Sequence, residues 1–106
     1  MGSGGSKADE GLQQQIESDT KNNKVVIYSK SHCPFCVKTK SLLTQAGIKA
    51  KIFELDQMSN GSAIQSALLA MTRQRTVPNI FIGGKHIGGN SEIQALGVDW
   101  LKQNAK

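Results

Sequence analysis

The chain has 106 residues, of which 38% are hydrophobic and 20% charged, and a formal net charge of +5. That length allows one domain with a modest core, and the composition excludes a mostly disordered chain. No apolar run approaches the roughly 18 residues that cross a bilayer, so no membrane association is expected, and two cysteines are too few for a disulfide scaffold.

Residues 1–7 read as an expression scar or flexible linker, and residues 8–106 as a single domain. Gly2 and Ser6 match the loose N-myristoylation pattern, but the Gly/Ser composition favours an engineered leader. Ala8 to Asn23 is polar and Gln-rich, with Leu12 and Ile16 four apart, and reads as a surface helix. Lys24 to Tyr28 is a β-branched apolar run expected to form a buried strand. After a short loop, Pro34 opens a helix that runs through Leu42, Leu43 and Ala46 to Gly47, a suitable C-terminal cap. Ala50 to Leu55 reads as a second strand, with Phe53 and Leu55 on one face. Ile64, Ala67, Leu68 and Met71 follow the spacing of an amphipathic helix. Asn79 to Ile82 and Lys85 to Ile87 read as strands joined by a Gly83-Gly84 hairpin turn. Ile93, Leu96, Gly97, Trp100 and Leu101 line one face of a last helix, and Ser91 with Gln94 forms a capping signature at its start. The order α-β-α-β-α-β-β-α predicts an α/β domain: a parallel strand pair with a right-handed crossover, then an antiparallel hairpin, in one small mixed sheet flanked by helices.

Cys33-Pro34-Phe35-Cys36 sits where a strand ends and a helix begins. The unpaired N–H groups and positive dipole end of that helix favour a thiolate at Cys33, and Lys30 adds a positive charge in the same loop. Cys36, one turn on, is further from the helix end. The pair therefore divides into Cys33 as attacking thiolate and Cys36 as resolving thiol. A disulfide closing so short a loop does little for stability, which weakens a purely structural role. No metal is expected, because a zinc site usually needs four ligands and His32 and His86 are the only histidines available.

Two further segments bear on a site. Pro78 precedes a strand, and beside a Cys-x-x-Cys pair a cis Val77–Pro78 bond is expected, exposing the Val77 backbone to an extended peptide. In Ile87-Gly88-Gly89-Asn90-Ser91, two glycines permit close backbone approach and the helix start offers N–H groups to an anion, although a plain loop with a Ser cap fits the same residues. Gln74 and Arg75, just before Thr76-Val77-Pro78, either reach an anionic group or stay on the surface.

Together, Tyr28-Ser29-Lys30-Ser31-His32-Cys33-Pro34-Phe35-Cys36, Arg75 to Ile82 and His86 to Ser91 resemble the dithiol glutaredoxins, over about residues 10–104. The resemblance implies a thioredoxin fold, a four-stranded mixed sheet flanked by helices, with an extra N-terminal helix. It also implies reduction of glutathione mixed disulfides and protein disulfides, with glutathione as the reducing co-substrate and glutathione reductase indirectly engaged. Cys33 and Cys36 would be catalytic. Lys30 and Gln74 would hold the glycine carboxylate of glutathione, and the Val77 backbone, next to Pro78, would pair with its cysteinyl part. Asn90 and Ser91 would bind its γ-glutamyl carboxylate, and Thr76 and Gly89 belong to the same glutathione-binding set. Glu92 stands where relatives commonly carry Asp, and Phe35 where they commonly carry Tyr.

Residues 1–20 hold Lys7 against Asp9, Glu10, Glu17 and Asp19, a balance of −3, which leaves +8 on residues 21–106. That excess suits an anion with two carboxylates. Nucleic-acid binding is not expected, because the lysines are dispersed and no nucleic-acid motif is present. Other readings are a thioredoxin-type reductase, which lacks its Trp-Cys-Gly-Pro-Cys here, and a non-catalytic interaction module. A further alternative is a homodimer binding a [2Fe–2S] cluster through Cys33 and glutathione. The expected protein is a cytoplasmic monomer acting on glutathionylated and disulfide-containing proteins.

Overall fold

The computed structural model describes residues 6–106, with side chains described from Glu10 onward. Its elements are α1 (Ser6–Asn22), β1 (Val25–Ser29), α2 (Pro34–Gln45), β2 (Lys51–Glu54), α3 (Gly61–Thr72), β3 (Asn79–Ile82), β4 (Lys85–Gly88) and α4 (Asn90–Asn104). They build one four-stranded sheet in the order β2-β1-β3-β4. β1 pairs parallel with β2, and β3 runs antiparallel to both β1 and β4.

Alternation along β1 decides the layers, because successive side chains point to opposite faces of a strand. Val25 and Ile27 join Ile80 and Ile82 of β3 in a core beneath α2 and α4, with Leu42, Leu43, Ile93 and Leu101. Val26 and Tyr28 join Phe81 in a second core beneath α1 and α3, with Ile16, Ile64, Ala67 and Leu68. A strand buried on both faces must be apolar throughout, as Val25-Val26-Ile27-Tyr28 is. Each fully buried Ile or Val side chain contributes about 1.5–3 kcal/mol. The arrangement is the thioredoxin fold, with α1 covering part of one sheet face as the extra helix.

Several local expectations change. α1 begins at Ser6 rather than Ala8, and residues 1–5 of the expected linker lie outside the described residues. Far from staying at the surface, α1 buries Ile16 against the second core. β2 stops at Glu54, and Leu55–Gln57 form a 3-10 turn that tucks Leu55 into the core. Gly97, with φ 83°, breaks the helical path inside α4. That break rotates the last turns, so Val98 packs against the core while Trp100 is 36% exposed. Gly83 and Gly84, at φ 59° and 80°, form the expected hairpin turn, for which positive φ at both positions matches the twist of the flanking strands.

Candidate functional site

The site lies at the C-terminal end of β1, where α2, the loop before β3 and the start of α4 converge. Cys33 caps α2 in an extended conformation, and Pro34 follows in the first turn, where its missing N–H leaves no helical bond unmade. The Cys33 sulfur accepts a hydrogen bond from the Cys36 backbone N–H at 3.3 Å and lies 3.6 Å from the Val77 carbonyl oxygen. Both cysteines are free; Cys33 is partly exposed and Cys36 is fully buried. Burial pushes the Cys36 thiol up, and the neighbouring Cys33 sulfur adds to this, while contacts from Lys30 and Ser29 partly offset it. The two sulfurs thus occupy unlike environments, one at an open helix end and one inside.

The loop carrying Cys33 is tied down from a distance. Asp56, in the 3-10 turn, accepts bonds from the Ser31 hydroxyl and, at 3.0 Å, from the Ser31 backbone N–H. These donors hold its carboxyl below the ordinary range. His32 Nδ1 lies 3.5 Å from the same carboxylate. No sequence pattern pointed to Asp56, since it lies 25 residues from Ser31.

Beside Cys33 opens a cavity of about 590 Å³, lined by Phe35, Gln74, Thr76, Val77, Pro78, Gly89, Asn90, Ser91 and Glu92. The structure therefore gathers seven of the expected ligand-binding residues around one space, from two separate stretches of sequence. Lys30 stands apart from them, lining a neighbouring cleft with His32, Asp56 and Gln65. The Val77–Pro78 bond is cis. The Gln74 side chain spans this segment, donating from Nε2 to the carbonyls of Thr76 at 3.0 Å and Pro78 at 2.9 Å.

The start of α4 differs from the expected Ser91–Gln94 signature. Gly89 is the N-cap and provides no side chain to satisfy the first amides of the helix. The Glu92 carboxylate instead reaches back to accept the Gly89 N–H at 2.6 Å. That bond holds the Glu92 carboxyl below its ordinary range. Gly88 makes room for it: a Cβ there would lie 2.8 Å from Glu92 Oε1, and its φ is 123°. Among the described residues no acceptor takes the amides of Asn90 and Ser91, which both line the cavity, and helix-start amides of this kind suit a carboxylate. Among the described residues, no group of three or more His, Cys, Asp or Glu side chains is placed to hold a metal ion.

The sequence model of the glutaredoxin family matches residues 25–87, which span both cysteines and the cis-proline segment. A glutaredoxin of Ricinus communis is 60% identical over 68 residues, covering 64% of this chain and 67% of that one. Glutaredoxin-C2 of Arabidopsis thaliana is 54% identical over 86 residues, covering 81% of this chain and 78% of that one. The crystal structure of a buckwheat glutaredoxin–glutathione complex superposes with a TM-score of 0.82 at 43% identity, covering 85% of this chain and 82% of that one. With its paired thiols at a helix start facing a cis-proline, the chain belongs to the glutaredoxin family of thiol–disulfide oxidoreductases.

Proposed function

We propose that the protein uses glutathione to reduce glutathione mixed disulfides and protein disulfides, with Cys33 as nucleophile and Cys36 as resolving thiol. One observation carries this reading: a partly exposed sulfur at the N-cap of α2 lies 3.6 Å from the carbonyl of Val77, which lines a cavity shared with a helix start that has no side-chain cap. A γ-glutamyl carboxylate suits the Asn90 and Ser91 amides. The Val77 backbone suits the cysteinyl part, which brings a glutathione sulfur to Cys33. A similar protein from buckwheat has been crystallised with glutathione.

Turnover then follows from sulfur chemistry. The Cys33 thiolate attacks the glutathione sulfur of a mixed disulfide, the S–S bond breaks, and the substrate leaves as a thiolate that takes a proton from solvent. The Cys33–glutathione disulfide is opened by a second glutathione thiolate, giving oxidised glutathione and free Cys33. Alternatively Cys36, having lost its proton, attacks Cys33 and expels glutathione as the thiolate. Two glutathiones then reduce the resulting Cys33–Cys36 disulfide. The Cys36 N–H bond to the Cys33 sulfur supports the attacking and departing thiolate alike.

The donor tests the proposal. With a glutathionylated substrate, NADPH oxidation is expected with glutathione plus glutathione reductase, and little with thioredoxin reductase. Faster turnover with thioredoxin reductase would contradict it. We infer further that the protein works as a cytoplasmic monomer, a reading that sedimentation of the untagged protein and localisation of a tagged full-length chain would check.

A further inference from the structure

We infer that Thr39, a buried residue of α2, is a positioning residue for glutathione: it fixes the Asn90 carboxamide so that its nitrogen faces the binding cavity. The inference rests on the glutathione reading above and assigns a role to a residue that touches no substrate.

Thr39 is fully buried, one turn after Cys36 on the helix that bears both cysteines. Its hydroxyl donates to Asn90 Oδ1 at 3.0 Å, from α2 to the first residue of α4. Gln94, one turn further along α4, donates to the same oxygen at 3.2 Å. Two donors converging on Oδ1 define which end of the amide is which, because an amide oxygen accepts and an amide nitrogen only donates. Nδ2 is left with no hydrogen bond among the described contacts, on a residue that lines the cavity. An Nδ2 group beside the amides of Asn90 and Ser91 adds a third donor for a carboxylate.

Position matters as much as chemistry. The bond crosses between the helix that holds Cys33 and the helix whose start holds the anion. It thereby sets the distance between the nucleophile and the carboxylate end of the ligand. Substituting an apolar isostere leaves Asn90 Oδ1 with Gln94 alone and lets the amide turn over.

The test is a double-mutant cycle read in KM, with the mixed disulfide of glutathione and β-mercaptoethanol as substrate. Thr39→Val is expected to raise KM about three- to tenfold, the effect of losing roughly one hydrogen bond, with kcat and the rate of Cys33 alkylation little changed. Thr39→Ser, which keeps the hydroxyl, is expected to restore KM. In an Asn90→Ala background, Thr39→Val is expected to add nothing. An unchanged KM in Thr39→Val, or the same increase in both backgrounds, would overturn the role. Should Thr39→Val fold poorly, the Thr39→Ser result against wild type and Asn90→Ala decides: a raised KM in Thr39→Ser would count against it. Failure of the underlying glutathione reading is recognised separately, since wild type itself would then not turn over the mixed disulfide.

Discussion

The Cys33 sulfur lies 3.6 Å from the Val77 carbonyl oxygen, although the two residues are 44 apart in sequence. This closeness places the nucleophile against the backbone of the segment that precedes β3. In the proposed function, a substrate strand laid along Val77 would bring its own sulfur close to Cys33. The cavity continues from there to the start of α4.

If the α4 amides hold a carboxylate, removing one should weaken binding while sparing the helix. Asn90 is the first helical residue, and Gly89 before it is extended, a conformation compatible with a following proline. Asn90→Pro deletes that N–H, and Asn90→Ala controls for the side chain. KM for a glutathione mixed disulfide should be about tenfold or more higher in Asn90→Pro than in Asn90→Ala, as expected for one hydrogen bond to a charged group. Circular dichroism should show both variants folded.

The buried Cys36 thiol is pushed up chiefly by desolvation. Closure of the Cys33–Cys36 disulfide requires the Cys36 thiolate, so its rate should climb with pH, roughly tenfold per unit below the midpoint. Release of the glutathionyl group by external glutathione needs only the glutathione thiolate, so its rise should level off near the ordinary thiol range of about 8.5, while closure continues to climb beyond it. Stopped-flow mixing of Cys33-glutathionylated protein, followed by mass spectrometry, separates the two routes. A pH-independent closure would show that burial does not govern Cys36.

Asp56 contributes to stability with a defined pH sign. Its carboxyl is held low by Ser31 in the folded state, so the unfolded chain binds more protons in acid. The benefit is present above the ordinary carboxylate range and is lost as pH falls through the lowered folded value. Asp56→Asn should therefore melt below wild type at pH 6, and the gap should narrow toward pH 3. Thermal melts across that range are the check.

Gly61, at the start of α3, has no room for a side chain. A Cβ there would lie 1.8 Å from the Leu55 carbonyl oxygen, a backbone atom that cannot swing away. Gly61→Ala should cost about 3 kcal/mol or more, among the largest single-residue effects outside the core. Urea unfolding measures it directly.

The parts that were legible in the sequence are those encoded locally. The double-sided burial of β1 follows from an unbroken apolar run, the hairpin from two adjacent glycines, and the helix-start thiol from Cys33 followed by Pro34. Contacts between distant residues leave no such trace. Nothing in residues 31 and 56, or 39 and 90, announces that their side chains meet, because pairing at that range depends on how finished elements pack. The α4 start differs for a related reason: Ser91 suggests a cap, while the cap position falls on Gly89, whose N–H is accepted by the Glu92 carboxylate. Trp100 was misplaced because periodicity assumes an unbroken helix, which Gly97 interrupts. Lys30 joined the expected binding set by resemblance, yet it faces a different cleft from the other seven residues.

The central claim is the unequal division of labour between two sulfurs in unlike surroundings. Coupled turnover of a glutathione mixed disulfide by wild type, Cys33→Ser and Cys36→Ser tests it most directly. The account predicts no turnover by Cys33→Ser, and turnover by Cys36→Ser that persists while direct dithiol reduction of a protein disulfide is lost. Activity in Cys33→Ser, or loss of both activities in Cys36→Ser, would contradict it.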